Sequence, residues 1–230
     1  YMWVGTFHSI ALRLLRAHYQ EAGLPASFQI IDAGEQQSLI KRLIKQKGLD
    51  EDRYPAKEIQ SYINYQKEQG LRAAQLTPDG LRTQQWLEIY NLYEETCNRD
   101  GLVDFTELLL RSYELLAMHD GLLRRYQQQF KHILVDEFQD TNQLQYLWLK
   151  ILVGAESEIF AVGDDDQSIY SFRGAKVSNM RAFLRDFNAP EPLRLEQNYR
   201  STTTILDAAN ALINNNSERI GKNLWTDNAQ

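Results

Sequence analysis

Asp136 and Glu137 stand side by side after the short run His132-Ile133-Leu134-Val135. That run is long enough for a short buried β-strand, and β-branched Ile133 and Val135 favour one. In open α/β sheets, ligands gather just outside the carboxyl ends of the strands. Two acids placed there can divide the labour of phosphoryl transfer: one holds Mg2+, directly or through water, and the other orients or deprotonates a water. Taken alone, an Asp-Glu pair after a strand is more often an acidic surface loop, so its meaning depends on what else converges on it.

Two later loops carry matching chemistry. Gly163-Asp164-Asp165-Asp166-Gln167-Ser168-Ile169-Tyr170-Ser171-Phe172-Arg173-Gly174-Ala175 follows a second strand-like run, and a parallel neighbour of the first strand brings both loops to one rim of a sheet. Gln167 offers an amide able to donate to a phosphate oxygen and accept from a water at once. Tyr170 and Phe172, one residue apart in a polar loop, suit stacking on nucleobases, worth about 1–3 kcal/mol per base. Packing of both rings beneath the loop is an equally good reading of the residues alone. Arg173 beside them is placed to neutralise a phosphate or to pair with the Asp136–Glu137 acids. Further on, in Glu196-Gln197-Asn198-Tyr199-Arg200-Ser201, Tyr199 has a face for a nucleobase and Arg200 has the reach and permanent charge to meet charge developing on a phosphate.

These loops need elements to hold them. From His132 the pattern alternates: a strand at 132–135, a helix over 141–153, a strand at 158–162, a helix over 176–187 and a strand at Leu193-Arg194-Leu195. Such alternation predicts an α/β fold with parallel strands joined by right-handed crossovers. The first of these helices is expected to turn Leu144, Leu147, Trp148, Ile151 and Leu152 toward the sheet, and a last amphipathic helix is expected over 203–214. Ahead of His132, Met2-Trp3-Val4 reads as a short strand, followed by Thr6-Phe7-His8-Ser9 and a helix over 10–20. The next hundred or so residues look almost purely helical. Asp32 with Glu35, and Asp104 with Glu107, have the spacing of capping boxes. Pro55 and Pro78 open helices, and Gly23, Gly70 and Gly101 close them. Trp86, Ile89, Tyr90, Tyr93 and Cys97 share one helix face, a spacing that most often means core. The architecture is a helical block set between two pieces of an α/β sheet.

Composition narrows the class. Of 230 residues, 43% are hydrophobic and 24% charged, which suits a soluble protein with a real core. No apolar run reaches the roughly 18–20 residues of a membrane-spanning helix, and the first residues lack the pattern of a signal peptide. One cysteine, Cys97, excludes an intramolecular disulfide and fits a reducing, cytoplasmic location. A net charge of −6 argues against wholesale coating of a polyanion, although a local groove depends only on where the positive charges sit. Lys41, Arg42, Lys45 and Lys47 read most simply as a solvated helix face.

In order and approximate spacing, Thr6-Phe7-His8-Ser9, Val135-Asp136-Glu137-Phe138-Gln139-Asp140, Gly163-Asp164-Asp165-Asp166-Gln167-Ser168-Ile169-Tyr170 with Phe172-Arg173-Gly174-Ala175, and Gln197-Asn198-Tyr199-Arg200-Ser201 resemble motifs Ib, II, III and IV of the superfamily I helicases of the UvrD/PcrA/Rep type. Arg13-Leu14-Leu15-Arg16-Ala17-His18 and Gly101-Leu102-Val103-Asp104-Phe105 carry the likeness into the helices, so it covers essentially the whole chain. The resemblance implies an α/β fold of the P-loop NTPase class. Residues 1–8 and 130–196 would form part of a RecA-like parallel-sheet domain, 1A, residues 9–129 an inserted all-helical 1B domain, and residues 197–230 the start of a second RecA-like domain, 2A.

It also implies ATP and Mg2+ as cofactors. Asp136, with Glu137 beside it, would stand at the metal, and Glu137 would be the base that activates water. Gln167 would sense the γ-phosphate, Arg200 would stabilise transition-state charge, and Tyr199 would stack on adenine. Thr6 and His8 would touch single-stranded DNA, Tyr170 and Phe172 would be stacking surfaces, and Arg173 would couple the two sites. The family often has Trp where Phe172 stands, which leaves a smaller stacking face and no indole N–H. The implied activity is ATP-driven movement 3′ to 5′ on single-stranded DNA, with unwinding at single-strand/duplex junctions, in DNA repair or replication. No membrane partner is expected; a second copy of the chain and repair or replication proteins are partners that such a motor admits.

The family's Gly-Lys-Thr phosphate loop, its adenine motif and its later motifs are not among these residues. The expectation is therefore a central fragment of a longer motor, without ATP turnover by itself. The alternative is a non-catalytic DNA- or partner-binding relative that has lost its phosphate loop. The intact Glu137, Gln167 and Arg200 favour the motor.

Overall fold

The computed structural model describes residues 2–169, 174–175, 178–216 and 221–228. Contacts divide the chain into two compact units, residues 1–133 with 142–160 and residues 134–141 with 161–230.

The first unit contains α1 (Phe7–Ala17), β1 (Gln29–Ile31), α2 (Ala33–Gln46), α3 (Ala56–Glu68), α4 (Leu81–Asp100), β2 (Leu102–Asp104), α5 (Phe105–Met118), α6 (Asp120–Gln129) and α7 (Gln143–Leu152). Local chemistry sets the helix ends. Before α2, Asp32 accepts the Glu35 N–H at 2.8 Å while the Glu35 carboxylate takes the Asp32 N–H at 2.9 Å, the reciprocal box the spacing predicts. Gly101 closes α4 at φ +67°, and a Cβ there would lie 2.7 Å from Pro25 Cγ. Both facts demand glycine.

The stretch expected to be almost purely helical also holds one small sheet. β1 and β2 form a parallel ladder, with Gln29 opposite Leu102 and Ile31 opposite Asp104. Strands this short cannot display the two-residue alternation that would reveal them, and their pairing is non-local. Each delivers an aspartate cap to the helix after it, Asp32 to α2 and Asp104 to α5. The second expected capping box is half formed. Asp104 accepts the Glu107 N–H at 2.7 Å, but Glu107 turns its carboxylate to Lys67, Arg72 and Arg111. The expected strand at Met2-Trp3-Val4 also does not form. Met2 and Val4 are exposed, and Trp3 instead lies edge-on to Tyr126 and Phe130 beneath the Arg13 guanidinium.

Three apolar clusters hold this unit. One, among α2, α3 and α4, contains Ile40, Leu43, Ile59, Ile63, Ile89 and Tyr90. A second joins α1, α5, α6 and α7 through Leu14, Leu110, Tyr126 and Trp148. The third gathers Leu15, Phe28, Val103 and Leu108 about the β1–β2 ladder. The apolar face expected on α7 is present, but it packs on α5 and α6, where the Trp148 indole donates to Ser112 Oγ at 2.9 Å. Cys97 is ordinary core, its thiol pushed up to about 11 by burial.

A charged cluster lies inside the same unit. The Lys67 ammonium, 2% exposed, is 2.6 Å from Asp104 Oδ2 and 2.9 Å from Glu107 Oε2. Tyr93 donates to the same Asp104 oxygen at 2.7 Å. Arg72 grips both Glu107 oxygens at 2.8 Å and reaches Glu94 and Glu114 as well. Glu107 is thus met by three cations, and Asp104 by the Lys67 ammonium together with the Tyr93 hydroxyl, which is what permits burial of charge.

The other sheet pairs β3 (His132–Val135) with β4 (Glu158–Ala161). Within the first unit, Glu158 N–H donates to Lys131 C=O at 2.7 Å, and within the second, Val162 N–H donates to Val135 C=O at 2.8 Å. The two sets of numbers rise together, so the strands are parallel. Expected as buried, β3 buries only Val135, and Leu134 is 77% exposed. The second unit continues with α8 (Ser178–Asp186) and α9 (Thr203–Ile213). Phe138 packs edge-on to Phe183 of α8, and Asn179 donates to the Thr141 carbonyl at 2.9 Å. The strand expected at Leu193-Arg194-Leu195 is absent, with Leu193 and Leu195 90 and 84% exposed. Alternation makes a strand only where a partner and a covered face exist. Pairing occurs a few residues later instead, as a parallel bridge between Gln197 and Trp225.

Candidate active site

Where β3 ends, the backbone turns sharply. Glu137 adopts the left-handed conformation, φ 50° and ψ 43°, which a residue with a Cβ holds only against a steric penalty. Neighbouring bonds fix the turn. Asp136 Oδ1 accepts the Glu137 N–H at 2.9 Å, Phe138 N–H donates to the Val162 carbonyl at 2.9 Å, and a 3₁₀ turn over Phe138–Asp140 follows. The result leaves the Asp136 and Glu137 side chains exposed while Phe138 and Gln139 are buried.

Gln139, 1% exposed, links this turn to the loop after β4. Its Nε2 donates to Glu137 Oε2 at 2.7 Å, and its Oε1 accepts the Asp164 N–H at 2.9 Å. Asp164 in turn accepts from Gln167 Nε2 at 2.7 Å and pairs with the Lys222 ammonium. Burial would raise the Asp164 pKa, but the hydrogen bonds from Lys222 and Gln167 outweigh it and hold the carboxyl below its ordinary value. Asp140 is pushed the other way, by burial and then by the charge on Glu137. Among the described residues nothing bonds its enclosed Oδ1. The structure therefore joins Asp136, Glu137 and Gln167 into one hydrogen-bonded chain through Gln139 and Asp164.

Tyr199 and Arg200 lie in the same unit, both exposed. Asn198 Oδ1 accepts the N–H groups of Arg200 and Ser201 at 2.9 and 2.7 Å, forming the turn that presents them. The Tyr199 hydroxyl donates to Gln197 Oε1 at 2.7 Å. In the other unit, Thr6 is the N-cap of α1, its Oγ1 accepting the Ser9 N–H at 3.2 Å. His8 sits in the first turn, edge-on to Phe105, and burial lowers its pKa. Tyr170, Phe172 and Arg173 lie outside the described residues.

A family model, the UvrD/REP helicase N-terminal domain, matches residues 1–188. The chain belongs to the UvrD/REP helicase family. It is 56% identical over 227 residues to DNA helicase II of Haemophilus influenzae and 54% identical over 229 residues to DNA helicase II of Escherichia coli, with 98% and 99% of the chain covered. It is also 40% identical over 231 residues, the whole chain, to the ATP-dependent DNA helicase PcrA of Leuconostoc citreum. These matches take in 31 or 32% of each relative, so the chain spans about a third of the length of the curated relatives it matches.

Two residues of this UvrD/REP segment escaped the sequence reading. Gln139 was legible only as a letter of the motif at 135–140, because the 3₁₀ turn that buries it has no periodic signature. Lys222 stands 58 positions from Asp164 in the sequence, and no local signal pairs the two.

Proposed function

We propose that the complete gene product carrying this chain is an ATP-driven DNA helicase that moves 3′ to 5′ on single-stranded DNA and unwinds duplex at junctions, in repair or replication. The relatives' names, DNA helicase II and ATP-dependent DNA helicase PcrA, support the activity class. The observation that carries the chemistry is the strained, exposed Glu137, its carboxylate held by Gln139 in the same chain of bonds as Gln167. In this reading residues 1–8 and 130–196 belong to RecA-like domain 1A, residues 9–129 to the 1B insertion, and residues 197–230 begin domain 2A.

Water attacks the γ-phosphorus of ATP, the bond to the β–γ bridging oxygen breaks, and ADP leaves. Glu137 takes the proton that the attacking water gives up. Gln167 contacts the γ-phosphate, Arg200 meets the charge that develops on it, and the exposed Tyr199 ring stacks on adenine. The donors at Asp136 and Glu137 are carboxylate oxygens, the class Mg2+ prefers, and among the described residues only the Glu137 N–H bonds the Asp136 carboxylate. Asp136, with Glu137 near it, would hold Mg2+, which when bound neutralises charge on the phosphate oxygens. Thr6 and His8 would touch single-stranded DNA, Tyr170 and Phe172 would stack on its bases, and Arg173 would couple the two sites.

Glu137→Gln tests the reading. Hydrolysis should fall by about 10²–10⁴-fold, the span of general-base catalysis, while ATP and DNA still bind. Turnover at the wild-type rate refutes Glu137 as base.

A further inference from the structure

Resting on that reading, we infer that Gln139 is a positioning residue: its amide aims the Glu137 carboxylate and ties the base to the Asp164–Gln167 loop. The assignment of the amide is unambiguous. Oε1 faces an N–H and Nε2 faces a carboxylate, and turning the group over would set oxygen against oxygen and nitrogen against a donor. One side chain therefore satisfies a donor on one loop and an acceptor on the other.

Three further observations point the same way. Gln139 is 1% exposed, so its amide is fixed by its surroundings even though the Glu137 carboxylate that it holds reaches solvent. Gly163 makes room for it: a Cβ at Gly163 would lie 2.9 Å from Gln139 Oε1 and 3.3 Å from its backbone nitrogen. The loop after β4 can approach the amide this closely only with glycine there. Glu137 itself has a left-handed backbone, so its carboxylate is delivered by a turn that needs bracing from outside. Gln139 supplies that brace.

The consequence is mechanical. Gln167, which in this reading contacts the γ-phosphate, donates to the Asp164 carboxylate, and the Asp164 N–H donates to Gln139. A shift of the loop on nucleotide binding moves the Asp164 N–H, and Gln139 carries that movement to Glu137 Oε2. The base is then aligned when the γ-phosphate is engaged.

The test compares Gln139→Met with Gln139→Asn in the complete gene product. Met nearly keeps the side-chain volume and removes both hydrogen bonds; Asn keeps the amide and shortens it by one methylene. Positioning predicts that kcat for ATP falls by about 10²-fold with Met, the scale of a misplaced catalytic group. It predicts a smaller fall with Asn, and a KM for ATP and an affinity for a non-hydrolysable ATP analogue within about twofold of wild type. A residue that merely fills space gives the reverse order, Met retaining more activity than Asn, and that order overturns the proposal. A kcat near wild type for both variants also overturns it. Glu137→Gln in the same assay separates the two failures. If it is inactive while the Gln139 variants are normal, only the positioning role falls; if it turns over normally, the base assignment falls first.

Discussion

Two groups of carboxylates in this chain are treated oppositely. Asp104 and Glu107 are 3% exposed and are met by Lys67, Arg72, Arg111 and Tyr93. Asp136 and Glu137 are exposed, and among the described residues the one side chain bonded to them is the neutral amide of Gln139. The first group has its charge answered inside the protein, so its role is to hold α3, α4 and α5 in register about β2. Among the described residues no cation pairs with the second, which stands on a strained turn, a poor way to stabilise a fold and a good way to receive a cation and a proton. Count of acids does not separate the groups; the placement of cations does.

The sharpest way to break this contrast is to alter one member of each group. Glu137→Gln should remove hydrolysis by the margin given above and leave the melting temperature near that of wild type. Lys67→Met should do the reverse in kind, destabilising the first unit by about 3–5 kcal/mol, because it leaves buried Asp104 and Glu107 short of a counter-charge. Denaturant unfolding would show it, and a loss under about 1 kcal/mol would place the cluster among ordinary surface pairs.

Acid should distinguish the groups next. Burial would raise the Glu107 pKa, but Lys67, Arg72 and Arg111 outweigh it and set it well below 4.5. A carboxyl with a depressed folded-state pKa contributes stability above its unfolded value and loses it as pH falls. The Lys67 pKa is raised above 10.5, its acids overcoming burial, so that contribution is present below 10.5 and lost on going more alkaline. The melting temperature should therefore be level through neutral pH and decline below about 4.5 on the acid side. A profile that stays flat to pH 3 contradicts the role given to Glu107. The smallest effect is expected at Thr6. Thr6→Ala removes the cap on α1 and should cost about 1 kcal/mol of stability, with Thr6→Ser restoring it; an unchanged melting temperature would mean that water replaces the cap.

Much of the local structure was legible in the residues. The Asp32–Glu35 box, the Gly101 stop, the apolar faces of α4 and α7 and the bounds of β3 depend on interactions within a few positions, and short-range pattern reports them. The failures share a cause too. Met2-Trp3-Val4 and Leu193-Arg194-Leu195 have strand-like letters, but no strand pairs with them among the described residues. β1 and β2 have almost no pattern and yet pair with each other. Strands are made by partners, and a partner far along the chain leaves no local trace.

The candidate site divides the same way. By itself the sequence determined which chemistry was on offer: adjacent acids after a strand, an amide and aromatics in one loop, a Tyr-Arg pair in another, in an order that marks the helicase family. Only the tertiary structure decided which acid is strained, which amide holds it and which lysine answers Asp164. Side-chain type is a property of a single residue, whereas the bond from Gln139 to Glu137 and Asp164 exists only when two strands lie parallel and bring their ends together.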